Sequence, residues 1–176
     1  IIVSLSKKRT ESFSPSAFLY QSAVPEDFMD YKQLARQLVF LLQGETDQVA
    51  ILANTAALLM TELENVSWAG FYLEKEGELI LGPFQGKPAC IHIPLGKGVC
   101  GTAFATQETV RVPDVHAFPG HIACDSESAS EIVIPLSNRS GKLIGVIDLD
   151  SKKPDRFSED DQAGLEMIAA ALREFL

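Results

Sequence analysis

Cysteine is scarce in this chain, with three among 176 residues, and tryptophan is scarcer still, with one. An odd cysteine count cannot pair completely within one chain, which argues against a small disulfide-stapled scaffold. Long apolar runs are missing too. No stretch reaches the ~18 to 20 residues that cross a bilayer, and the opening "IIVSLSKKRTESFSPS" lacks the charged-then-apolar order of a secretory signal. Basic side chains are outnumbered, 15 against 24 acidic, giving a formal net charge of -9. Such a surface gains no counterion-release energy on a phosphate backbone or an anionic membrane, so neither is an expected partner. What remains is a small-molecule or protein partner and a cytoplasmic setting, where thiols stay reduced.

Apolar residues make up 46% of the chain, enough for one core. Residues 1–25 are serine-rich and aperiodic and read as a flexible or non-native tail; residues 26–176 read as a single domain. Phe28, Tyr31, Leu34, Ala35, Leu38, Leu41 and Leu42 recur at helical spacing before Gly44. A second helix is predicted from Asp47, with Val49, Leu52, Ala53, Ala56, Met60 and Leu63 as its apolar stripe. "VSWAGFYLE" and "ELILGPF" form a predicted hairpin across "KEG", and "ACIHIPL" a further strand. "GVCGTAFATQE" has helix-compatible spacing, "TVRVPD" is extended, and 114–130 is a long turn-rich loop of the kind that carries function. "EIVIPLS" and "KLIGVIDLDS" make a second hairpin around "NRSG", and a helix capped by Ser158 closes the chain. Short hairpin connections imply an antiparallel sheet with helices packed mainly on one face, an α+β fold.

The three cysteines, Cys90, Cys100 and Cys124, all fall in the middle third. They stand ten and twenty-four apart, without the close pairs of a zinc site, so no metal is expected despite His92, His116 and His121. A buried, inert thiol suits Cys90 better than Cys124, which lies in a polar, glycine-bearing loop. Carboxylates near a reactive thiol would hinder thiolate formation, but they make sense where a substrate oxygen must be protonated or an ammonium held. Asp148 and Asp150 are two apart and share a strand face; with "NRSG" as the hairpin loop, Glu131 falls opposite Asp148. Clustered acids of this kind raise one another's pKa. Solvated acids at a strand end would give the same pattern. Trp68 and Tyr72 also share a face, about 13 Å apart along the strand, with Gly70 leaving space between them for a small ligand.

"NVSWAGFYL", "LILGPFQGKPAC", "GKGVCGTA", "PDVHAFPGHIACDSES", "SEIVIPL" and "IGVIDLDS…RFSEDD" closely resemble the free methionine-(R)-sulfoxide reductases, which are single GAF-domain enzymes. The resemblance covers residues 28–176 and implies a thiol-dependent oxidoreductase that reduces free methionine-(R)-sulfoxide to methionine as part of an oxidative-stress response. It implies that Cys124 is the catalytic thiol, with Cys100 and Cys90 resolving or recycling it, in an order the resemblance leaves open. Trp68 and Tyr72 match the aromatics at the substrate's methyl end, and Glu131, Asp148 and Asp150 the acids that bind or protonate it. It further implies that no cofactor is bound, that thioredoxin is the external reductant and that the assembly is a homodimer. The alternative is a redox- or small-ligand-sensing GAF module without turnover, since the fold also serves sensors.

Overall fold

The computed structural model describes residues 29–122 and 124–176, so the tail expected over 1–25 and the helical position of Phe28 lie outside the described residues. Two helices come first, α1 (Tyr31–Leu41) and α2 (Gln48–Glu62), capped by the side chains of Asp30 and Asp47. The strands β1 (Trp68–Lys75) and β2 (Glu78–Gln85) form the first hairpin, followed by β3 (His92–Pro94) and α3 (Gly98–Thr106). β4 (Val110–Val112) leads into the long loop, and β5 (Ser130–Ser137) and β6 (Leu143–Ser151) form the second hairpin before α4 (Glu159–Leu172). The six strands make one sheet in the order β3-β2-β1-β6-β5-β4, every neighbouring pair antiparallel. No described helix is long and apolar enough to cross a membrane.

Strand alternation divides the interior in two. Ala69, Phe71, Ile132, Ile134, Ile147 and Leu149 face α1, α2 and α4 and form the larger core. The opposite face, with Trp68, Tyr72, Val133 and Val146, is covered by α3 and the loops around it. The larger core fastens the molecule; the smaller one builds the site.

Three expectations need correction. On α2, Val49 is 65% exposed, and the buried stripe is Ile51, Leu52, Thr55, Ala56 and Leu59. A buried threonine disguised that face: the Thr55 hydroxyl donates to the Ile51 carbonyl at 2.8 Å and so enters the core satisfied. The strand expected over "ACIHIPL" shrinks to three residues, and Cys90 lies in the irregular stretch ahead of it. In the second hairpin Glu131 pairs with Asp150, not Asp148, which lies opposite Val133. The turn is longer than "NRSG", because the Asn138 N–H donates to the Lys142 carbonyl, and the register shifts between Leu136 and Ser137. The net slip is two residues, so all three acids keep the same face.

Candidate active site

On that inner face Glu131 and Asp148 are each only 6% exposed. Burial pushes the Glu131 carboxyl well above its ordinary range, with the charge of Asp150 adding to it; burial and then the charges of Glu131 and Asp150 do the same to Asp148. Two buried carboxyls this close share protons rather than ionise together. Asp150, nearer the rim, is raised to about 6, chiefly by burial, against the lowering effects of Ser128 and His121. His121 Nε2 lies 3.6 Å from Glu131 Oε2. Asp148 Oδ1 is buried without a hydrogen-bond partner, an acceptor left over for something not supplied by the described residues.

The α3 backbone brings Cys100 over this group, its thiol donating to Glu131 Oε1 at 3.8 Å. Burial and the charges of Asp148 and Glu131 raise the Cys100 thiol well above its usual pKa, which keeps it neutral and weakly nucleophilic. Donor atoms of Cys100, Glu131 and Asp148 lie within 4.8 Å of one another, making these the described residues that could approach a small cation.

The aromatics close one wall. Trp68 stacks on Tyr72 with ring centroids 6.0 Å apart and on Phe84 at 5.3 Å. The space above Gly70 is therefore not open to a ligand: the Trp68 indole lies over it, and a Cβ there would run into the ring and Phe84 Cβ. The glycine makes room for the indole, which leans forward along its own strand to reach Tyr72. Trp68 Nε1 donates to the Lys87 carbonyl at 3.1 Å and the Tyr72 hydroxyl to the Cys90 carbonyl at 3.0 Å, so both aromatics hold the segment carrying Cys90.

That segment meets the long loop. Cys90 and Cys124 form a disulfide, their Cα atoms 5.3 Å apart, and Cys100 is the free cysteine. The narrow cleft beneath, open to solvent, is lined by Trp68, Tyr72, Cys100, Cys124 and the three acids. The structure thus brings together every predicted site residue except Cys90, which stands at the edge as the partner of Cys124.

Residues 47–173 match the GAF domain family. Over 146 residues the chain is 51% identical to the free methionine-R-sulfoxide reductase of Escherichia coli, covering 83% of this chain and 88% of that one. The chain belongs to the free methionine-(R)-sulfoxide reductase family. The Saccharomyces cerevisiae member is 44% identical over 150 residues, covering 81% of this chain and 83% of its own. The crystal structure of the Neisseria meningitidis free methionine-R-sulfoxide reductase in complex with its substrate superposes with a TM-score of 0.79 at 47% identity, over 82% of this chain and 87% of that one.

The sequence pattern assigns no role to His121, Asp125, Glu127, Ser128 or Lys87. His121, Asp125 and Ser128 line the cleft, whereas His92 pairs with Glu78 on the exposed surface at 3.0 Å. Only the position of Lys87, three residues before a rare cysteine, pointed to it in the sequence.

Proposed function

We propose that the chain reduces free L-methionine-(R)-sulfoxide to methionine through Cys124, with Cys90 as resolving thiol and a thioredoxin-type dithiol as reductant. The observation that carries this reading is the Cys90–Cys124 disulfide at the mouth of a cleft floored by three acids whose pKa values are raised. A sulfoxide sulfur becomes electrophilic when its oxygen is protonated, and a carboxyl that is still protonated near neutral pH can supply that proton. Glu131, Asp148 and Asp150 are the groups for this step. Cys124 then takes the oxygen: the substrate S–O bond breaks, methionine leaves, and the thiol becomes a sulfenic acid. Cys90 condenses with it, releasing water and forming the disulfide, which the external dithiol reopens by exchange.

Trp68 and Tyr72 offer a flat apolar wall to the methyl and sulfur end of the substrate. The unpartnered Asp148 Oδ1 suits an ammonium, which a free amino acid presents and a peptide-bound one does not. Cys100 fits a supporting role better than a redox one. Its thiol is buried, neutral and donated to Glu131, on the acid side of the cleft. A cytosolic setting, where thioredoxin is kept reduced, suits this cycle.

The test is single-turnover methionine release from the fully reduced protein without thioredoxin. Wild type and Cys90→Ser should each release about one methionine per chain, Cys90→Ser then stalling as a sulfenic acid, while Cys124→Ser should fall by at least ~10³-fold. Release by Cys124→Ser at the wild-type rate would remove Cys124 from its role.

A further inference from the structure

Lys87 lies between β2 and Cys90, its backbone pinned by Trp68 Nε1. Its ammonium crosses to the other cysteine-bearing segment, with Nζ 3.3 Å from Asp125 Oδ2 and hydrogen-bonded to Glu127 Oε2. Lys152, the residue after β6, donates to the same Glu127 oxygen at 2.6 Å. Asp125 directly follows Cys124, and its Oδ1 accepts the Glu127 N–H at 3.0 Å, so the short turn after Cys124 is itself ordered around these carboxylates. The pairing with Lys152 and Lys87 lowers Glu127 to about 2, so the network stays charged at neutral pH. An isolated exposed ion pair contributes little, but here one ammonium bridges two carboxylates and one carboxylate bridges two ammoniums, across the two segments that carry the reacting thiols.

We propose that Lys87 is a positioning residue that latches the Cys90 segment to the Cys124 segment before the disulfide forms, raising the local concentration of one thiol at the other. The inference rests on the reading above for what Cys90 meets. Its sulfur attacks the sulfenic sulfur of Cys124, the S–S bond forms as the S–O bond breaks, and the hydroxyl leaves with the Cys90 proton as water. Cys90 is oxidised and the sulfenic sulfur reduced in that step. Because loop closure governs how often the thiols meet, loss of the latch should cost about three- to tenfold in effective concentration.

The experiment equilibrates the full chain in reduced and oxidised glutathione mixtures and measures the fraction with Cys90 bonded to Cys124, a readout independent of sulfoxide chemistry. Lys87→Met should need about three- to tenfold more oxidising mixtures for half-formation, and Lys87→Arg should restore most of the difference. Glu127→Gln, which removes one of the two carboxylates that Lys87 holds and leaves Asp125 in place, should shift in the same direction but less far than Lys87→Met. Raising salt from about 0.05 to 0.5 M should move wild type toward Lys87→Met and leave that variant in place. Identical half-points for wild type, Lys87→Met and Glu127→Gln, or the same salt shift in all three, would overturn the latch. Single-turnover methionine release from the same preparations should be unaffected by Lys87→Met. Its absence from wild type and variant alike would overturn the reductase reading while leaving the latch result standing.

Discussion

Glu131, Asp148 and Asp150 cannot all carry charge in one buried patch, so at the residue scale the site is defined by where its protons sit. The consequence is measurable for Asp150, raised from an ordinary 3.8 to about 6 by burial above all. Below about pH 4 an aspartate is protonated in both the folded and the unfolded chain and contributes no pH dependence. As pH rises from about 4 to 6 the unfolded chain releases that proton while the fold retains it, so stability falls through this window and levels off above it. Asp150→Asn should therefore gain on wild type by on the order of 2 kcal/mol between pH 4 and 7, as read by urea unfolding. A constant difference between the two proteins over that range would show that Asp150 ionises as freely in the fold as out of it.

At the element scale, the start of α4 ties the helical layer together independently of the site. Ser158 and Asp161 form a capping box, and the same Asp161 carboxylate accepts the Tyr31 hydroxyl at 2.6 Å and Arg156 Nη1 at 3.0 Å. Burial alone would raise Asp161, but Tyr31, Ser158 and Arg156 together hold it below its usual value. Asp161→Ala leaves a buried hydroxyl and a guanidinium unpaired, and thermal and urea unfolding should record a loss of about 2–4 kcal/mol. Residual turnover per folded molecule should be unchanged, because the network lies across the sheet from the acids. This helix was legible in the sequence, since a capping serine, an acidic first turn and helical periodicity all agree locally. So was the shared face of the three acids, which depends only on strand parity. Their exact partners were not, because a bulge beside Ser137 leaves no mark in composition. The Cys90–Cys124 pairing was not legible either: it depends on two irregular segments approaching across the sheet, and spacing along the chain carries no record of that approach. The indole above Gly70 shows the same limit, since alternation identifies a face without saying which way a large ring lies on it.

For the whole molecule, one side of the sheet packs the larger core and the other holds the cleft, with the disulfide-forming segments at the cleft's rim. The end of α1 adds a contiguous exposed apolar run, Val39 at 46%, Phe40 at 80% and Leu41 at 47%, of the kind a second protein surface covers. If the chain pairs with a second copy through this run, Phe40→Glu should halve the mass seen by sedimentation without loss of helical signal; a single-chain mass for wild type, or an unchanged mass in the variant, would rule that pairing out. If the cleft selects a free amino acid sulfoxide and each turnover consumes one external dithiol, substrate choice can be read directly from reductant consumption. The most direct measurement is NADPH oxidation coupled through thioredoxin reductase and thioredoxin, comparing free methionine-(R)-sulfoxide, its S epimer and the N-acetylated R epimer. Turnover is expected on the free R epimer, with rates lower by about 100-fold or more on the other two, whose stereochemistry or blocked amine cannot use the same contacts. Equal rates on the N-acetylated substrate, or no turnover on the free R epimer, would contradict that selection.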